Sequence, residues 1–298
     1  MSAPSRPPEI ALDSLDTLWF QVAGTICNLT CHHCFISCSP KNHSFGFLEL
    51  QTVLDALEES KALGVKEYYF TGGEPFMNPA LPDMLEATLA IGPASVLTNA
   101  TLLPEKTLAR LARGVSESLY SLELRVSIDG FSPETNDPIR GDGTFARAME
   151  GVENLLDHDF LPIITAMRSW PLEQEESVLA RFGEVLRQRG YAHPRLKILP
   201  SLQMGQESMR TRGYSDVDWV TQEMMDGYDP TQLLCATSRL ISDRGVHVCP
   251  ILLEEKGSLM GKTLEESLRP FPLAYQPCMT CYAFGSICTN VSQAGPTG

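Results

Sequence analysis

Between Leu18 and Leu199, six short β-prone runs alternate with five segments that carry apolar residues at helical spacing, and this alternation constrains the fold more than any other feature. The predicted strands are Leu18–Gly24, Val65–Thr71, Ser95–Thr98, Leu122–Asp129, Pro162–Arg168 and Arg195–Leu199. Between them, Leu50, Val53, Leu54 and Leu57 mark one helix, stopped near Gly64, and Leu81, Met84, Leu85 and Leu89 mark another, capped by Asn78-Pro79. Further helices are read from Pro104 to Gly114, along the Phe145, Ala148, Met149, Val152 and Leu155 stripe, and from Leu172 to Arg189. Strand–helix units in series imply parallel strands joined by right-handed crossovers.

The fourth strand selects among such folds. Leu122, Leu124, Val126 and Ile128 share one face, while Glu123, Arg125, Ser127 and Asp129 share the other. Charged side chains packed against a helix layer are costly, so the polar face is expected to line a lumen. The expected fold class is therefore α/β, a partial (β/α)6 TIM-like barrel with active-site groups at the C-terminal strand ends. Glu123 and Arg125 either face a polar ligand or pair with each other lower in the barrel.

From about Leu202 the alternation stops. Leu240-Ile241 and Val246–Val248 flank Ser242-Asp243-Arg244-Gly245, a hairpin pattern. The expected division is an arm over 1–17, the barrel over 18–200, a small cysteine-rich extension over 201–290 and a tail over 291–298. The formal net charge of −14, without a local cluster of Lys and Arg, argues against nucleic acid and anionic membranes as partners. No apolar run is long enough to cross a bilayer, and the opening MSAPSRPPEI has no signal-peptide architecture. The expected location is cytoplasmic.

In that setting, nine cysteines are expected to be metal ligands rather than disulfides. Four lie at 27, 31, 34 and 38 and five at 235, 249, 278, 281 and 288, as for two sites far apart in the chain. Cys27, Cys31 and Cys34 have the spacing C-x3-C-x2-C. Three thiolates on one loop can hold three irons of a [4Fe–4S] cube and leave the fourth open for chemistry. The competing reading is a zinc site completed by Cys38 or His33.

This triplet after a first strand, with Phe35 next, resembles the signature of the radical SAM superfamily. The resemblance implies that S-adenosylmethionine chelates the open iron and is cleaved to methionine and a 5′-deoxyadenosyl radical. Further elements follow in the family's order. Gly72-Gly73-Glu74-Pro75 resembles the motif that holds the methionine end of SAM, its carboxylate accepting from the ammonium. Thr98-Asn99 resembles the element that ends the family's third strand. Ser127 and Asp129 lie in an element similar to the one that contacts the SAM carboxylate and ribose. Arg140 matches an arginine that contacts the carboxylate. Cys38 has no place in the pattern, and His32 and His33 are read as loop residues.

Cys235, the hairpin, Cys249-Pro250 and Cys278-Met-Thr-Cys281 resemble the SPASM and twitch extensions of that superfamily, which bind auxiliary [4Fe–4S] clusters. One auxiliary cluster on Cys235, Cys249, Cys278 and Cys281 is implied, with Cys288 either spare or in place of one of them; a zinc ribbon is the alternative. The expected function is an oxidoreductase-type enzyme that abstracts hydrogen from a small polar metabolite, reduced by a donor such as flavodoxin or ferredoxin. A peptide maturase is the alternative; such enzymes usually carry a leader-binding domain ahead of the barrel, where residues 1–17 stand here. A zinc-binding or electron-transfer protein is the non-enzymatic alternative.

Overall fold

The computed structural model describes residues 6–285 and 287. Its strands, in chain order, are β1 (Glu9–Ile10), β2 (Thr17–Gln21), β3 (Glu67–Thr71), β4 (Ala94–Thr98), β5 (Leu122–Ser127), β6 (Ile163–Met167), β7 (Arg195–Leu199), β8 (Ser238–Ser242), β9 (Gly245–His247), β10 (Leu259–Gly261) and β11 (Phe271–Pro272). The larger helices are α1 (Leu50–Leu63), α2 (Leu81–Leu89), α3 (Glu105–Glu117), α4 (Pro133–Arg140), α5 (Thr144–Asp157) and α6 (Glu175–Gln188). Strands β2 to β7 run parallel, each paired to the next, so the six expected strands form the expected sheet.

Alternation along these strands sorts the two faces. Phe20, Tyr68, Phe70, Val96, Leu124, Val126 and Ile164 pack with the apolar stripes of the covering helices in one large core. Trp19, Tyr69 and Leu240 point the other way, into a smaller cluster with Cys27 and Cys38. The inner face holds the site, as the polar side of β5 suggested. Together with the structural neighbours described below, this makes the α/β architecture a partial barrel.

Three features were not foreseen. The helix α4 reads PETNDPIR, polar and interrupted by Pro138, and so shows no apolar stripe. A reciprocal capping box between Ser132 and Thr135 starts it instead. Asn78 does not cap α2, whose N-cap is Ala80. Its amide donates to the Val22 and Leu48 carbonyls at 2.8 and 2.9 Å and stitches β2 to the approach to α1. Finally, β8 of the C-terminal extension pairs in parallel with β2, and the hairpin continues the sheet through β9 and β10. The strand order is β10-β9-β8-β2-β3-β4-β5-β6-β7, with β1 and β11 forming a separate antiparallel pair.

Candidate active site

The cysteine loop leaves β2 through Gly24, whose φ of 53° is in the left-handed region; a Cβ there would lie 2.1 Å from the Phe45 carbonyl oxygen. The loop after β3 then lies directly against it. Gly73 N–H donates to the Gly24 carbonyl at 3.0 Å and Glu74 N–H to the Ile26 carbonyl at 3.1 Å. A side chain at Gly73 would place its Cβ 2.0 Å from Ile26 O. The glycine pair is thus required by a close backbone approach, whatever it binds.

A cavity of about 230 Å³ opens at the C-terminal ends of the strands. Cys27, Cys31, Cys34 and Phe35 line one wall. Gly72 and Gly73 reach it from β3, Thr98 and Asn99 from β4, Ser127 and Asp129 from β5, and Arg140 from the end of α4. Glu74 and Pro75 do not line it. The Glu74 carboxylate is fully buried and turned toward β4, accepting from Thr98 Oγ1 at 2.7 Å, Asn99 N at 2.7 Å and Phe76 N at 3.1 Å. Burial pushes its pKa up to about 7, against the pull of those donors.

The cysteines suit a cluster by chemistry. Burial pushes the Cys27 thiol up to about 12 and the Cys31 thiol up to about 11, so their thiolates need a cation to hold them. Cys34 is held below the usual thiol range by hydrogen bonds from the Cys38 thiol and backbone, and Cys38 N lies 3.2 Å from Cys34 Sγ. Asn99 Nδ2 lies 3.8 Å from Cys27 Sγ. Among the described residues, no three His, Cys, Asp or Glu side chains gather as a single metal ion would require; a cube takes each cysteine at a different iron. Three soft sulfurs around a cavity therefore fit the [4Fe–4S] cluster of the family.

His33, read from the sequence as a loop residue, is part of this site. Its Nε2 and the Arg140 Nε each lie 2.6 Å from Asp129 Oδ2, while Asp129 Oδ1 accepts from Met167 N at 2.7 Å. Burial alone would raise the Asp129 pKa, but Arg140 and His33 hold it well below the usual carboxylate range. The same end of α4 accepts His32 N–H at the Ile139 carbonyl, at 2.8 Å. No spacing rule brings residues 31–33 beside residues 129 and 140; the fold does. Glu123 and Arg125 form an ion pair at 3.0 Å, and Glu123 also meets Arg195 at 2.8 Å. Arg125 still reaches the cavity wall, with its guanidinium 5.0 Å from the Tyr69 ring centroid.

The extension carries the second cysteine set. Cys235 lies in the short helix Leu234–Thr237, Cys249 follows β9, and Cys278 and Cys281 lie one turn apart in the helix Cys278–Phe284. All four are buried and line one apolar pocket of about 20 Å³ with Leu234, Ile251 and Phe271. This donor set is consistent with an auxiliary cluster. Cys288 lies outside the described residues. Pro250 lines the large cavity while its neighbour Cys249 lines the small pocket, so the two sites meet across one peptide bond.

The chain is 28% identical over 168 residues to the mycofactocin maturase MftC of Mycobacterium ulcerans, covering 54% of this chain and 43% of the relative, so it spans less than half the length of that protein. The structure of Streptococcus suis SuiB bound to the precursor peptide SuiA superposes with a TM-score of 0.65 at 15% identity, covering 89% of this chain and 66% of that one. Native anSMEcpe with bound AdoMet and the Cp18Cys peptide gives a TM-score of 0.60 at 15% identity, covering 84% and 79%. At such identities the structural matches show the fold alone. Among the described residues, no helix is long and apolar enough to cross a membrane. The Radical SAM superfamily model matches residues 22–179, more than half of the chain, and the protein belongs to that superfamily.

Proposed function

We propose that this protein is a radical SAM maturase that modifies a peptide. The observation that carries this is the pairing of fold and partner in similar proteins: SuiB and anSMEcpe, matched over 89% and 84% of the chain, hold peptides in their structures, and MftC is a maturase by name. Relatives named for small-molecule chemistry, a GTP 3',8-cyclase of Petrotoga mobilis at 28% identity and an AdoMet-dependent heme synthase of Methanosarcina barkeri at 34%, match only 46% and 48% of the chain, less than the peptide-holding structures do. The cavity wall agrees with a peptide, since Phe35, Leu97, Leu199, Leu202, Pro250 and Ile287 give it an apolar lining above the polar groups of β5 and β6. A side chain can enter such a cavity while its backbone stays outside.

When bound, the barrel cluster and SAM supply the hydrogen-abstracting radical. Cys27, Cys31 and Cys34 hold the cluster in this proposal. The backbone of Gly72 and Gly73 shapes the methionine end of the SAM site, and Ser127 and Arg140 offer donors to its carboxylate. Asp129 orients Arg140 and His33. Cys235, Cys249, Cys278 and Cys281 would hold the auxiliary cluster, which would supply a one-electron acceptor. Arg125, Ser127 and Thr165 together favour a small polar ligand as the second reading, because all three reach the cavity.

One experiment separates the two. Enzyme, SAM and reductant are incubated with size-fractionated extract of the source cells, and 5′-deoxyadenosine is measured. The expected stimulating fraction contains polypeptide and loses its effect after protease treatment. Stimulation by a low-mass, protease-resistant fraction transfers the assignment to a metabolite.

A further inference from the structure

Arg239 on β8 is fully buried, yet among the described residues its guanidinium meets only backbone carbonyls. Its Nε donates to Ser267 O at 3.0 Å, Nη1 to Cys235 O at 2.8 Å and Ser238 O at 2.7 Å, and Nη2 to Arg269 O at 3.2 Å. Carbonyls satisfy hydrogen bonds but bring no net negative charge, and a buried charge without a counter-charge is costly. Burial accordingly pushes the Arg239 pKa down to about 10, and Arg269 adds to that effect. The groups that act the other way are Cys235 and Cys249.

The buried Arg239 cation therefore adjoins Cys235 and Cys249 of the second cysteine set, whose ionised sulfurs would bring the negative charge that its carbonyl partners do not. Four thiolates give an all-cysteine [4Fe–4S] centre a net negative charge, and nearby charge and hydrogen bonds are among the levers on its potential. We infer that Arg239 is the internal counter-charge of the auxiliary centre and raises its reduction potential, an inference that rests on the auxiliary-cluster proposal above. The physical reason is direct. Reduction adds a negative charge to the centre, and a fixed cation stabilises the more negative state. Because β8 is hydrogen-bonded to β2, the cation is anchored in the barrel's own sheet. Arg239 acts through the cluster and is a positioning residue, with no contact to substrate required.

The test uses the anaerobically reconstituted full chain, with iron and sulfide content measured and both clusters titrated against potential by electron paramagnetic resonance. Arg239→Met removes the charge. Arg239→Gln also removes it but keeps an amide donor for the Cys235 carbonyl, and is the variant to use where Arg239→Met does not fold. Arg239→Lys keeps the charge. The expected result is a lower auxiliary potential in the two neutral variants, a smaller change in Arg239→Lys, and an unchanged barrel-cluster potential throughout. Two intact clusters with the same auxiliary potential in wild type and a neutral variant overturn the role of Arg239 and leave the auxiliary cluster standing. A wild type with a single cluster removes the auxiliary proposal, and this inference with it.

Discussion

Glu74 is a carboxylate whose sequence context and structural position point to different partners. Within Gly-Gly-Glu-Pro it is expected to face the SAM ammonium, but it is buried and serves the end of β4 through Thr98 and Asn99 and its own turn through Phe76. Glu74→Ala strands three donors and should cost roughly 3 kcal/mol of stability, read as a lower denaturant midpoint. Loss of SAM affinity at an unchanged midpoint would instead show that the carboxylate serves SAM directly. Proton linkage gives an independent check. The folded-state pKa of about 7 lies above the ordinary 4.5, so the folded chain holds this proton more tightly than the unfolded one. The contribution is complete below pH 4.5 and is lost as pH rises through 7, up to about 3 kcal/mol. Stability measured from pH 4.5 to 8 should fall more in wild type than in Glu74→Gln; superimposable slopes would refute the shift. At this scale the sequence reveals the candidate ligands but not their supports. Cys27, Cys31 and Cys34 are readable because one loop carries all three. His33 beside Asp129 is not, because that contact joins residues 96 positions apart.

The elements divide in the same way. Strands β2 to β7 are legible because β-branched and aromatic runs alternate with helical stripes, whereas α4 is not, since Pro138 and five polar side chains leave it no stripe. The hairpin is legible from its turn, but the pairing of β8 with β2 is not, because a parallel partner can come from any distance along the chain. That pairing has a consequence for the cluster loop. In the hairpin turn, Asp243 Oδ2 accepts from Gly46 N at 2.8 Å. The Arg244 guanidinium lies 4.1 Å from the Phe45 ring centroid, and its Nη2 donates to the Ser44 carbonyl. Phe45 in turn bonds to Thr25 in both directions at 3.2 Å, two residues before Cys27. The extension thus holds the far end of the cysteine loop. Asp243→Ala combined with Arg244→Ala should cost only about 1–2 kcal/mol, because both residues are exposed. Its specific effect should be faster loss of barrel-cluster iron to a chelator, with the auxiliary cluster released at the wild-type rate. Equal release of both clusters in variant and wild type would leave the hairpin without this role.

Across the whole molecule, the two cysteine sets line separate cavities that adjoin at Cys249 and Pro250. Residues of the extension close the barrel cavity: Leu202, Pro250 and Ile287 line it together with the cysteine loop and β3 to β7. The hydrophobic clusters remain distinct, however, with the four auxiliary cysteines in the extension's core and strands β2 to β6 in the barrel's. Loss of the auxiliary centre should therefore spare the barrel chemistry while uncoupling it from substrate. Cys278→Ala with Cys281→Ala is expected to lose about half of the iron, corresponding to one of two cubes. It should still cleave SAM to 5′-deoxyadenosine under reducing conditions, without forming modified product. The reciprocal variant, with Cys27, Cys31 and Cys34 all changed to Ala, should keep the auxiliary iron and cleave no SAM. The pair of variants is informative because each one fails differently. Zinc in place of iron at the second site of anaerobically purified wild type would return the extension to a structural ribbon. Abolition of SAM cleavage by the first variant, with its barrel cluster still spectroscopically intact, would show that the extension controls the SAM site itself, across the single peptide bond between Cys249 and Pro250.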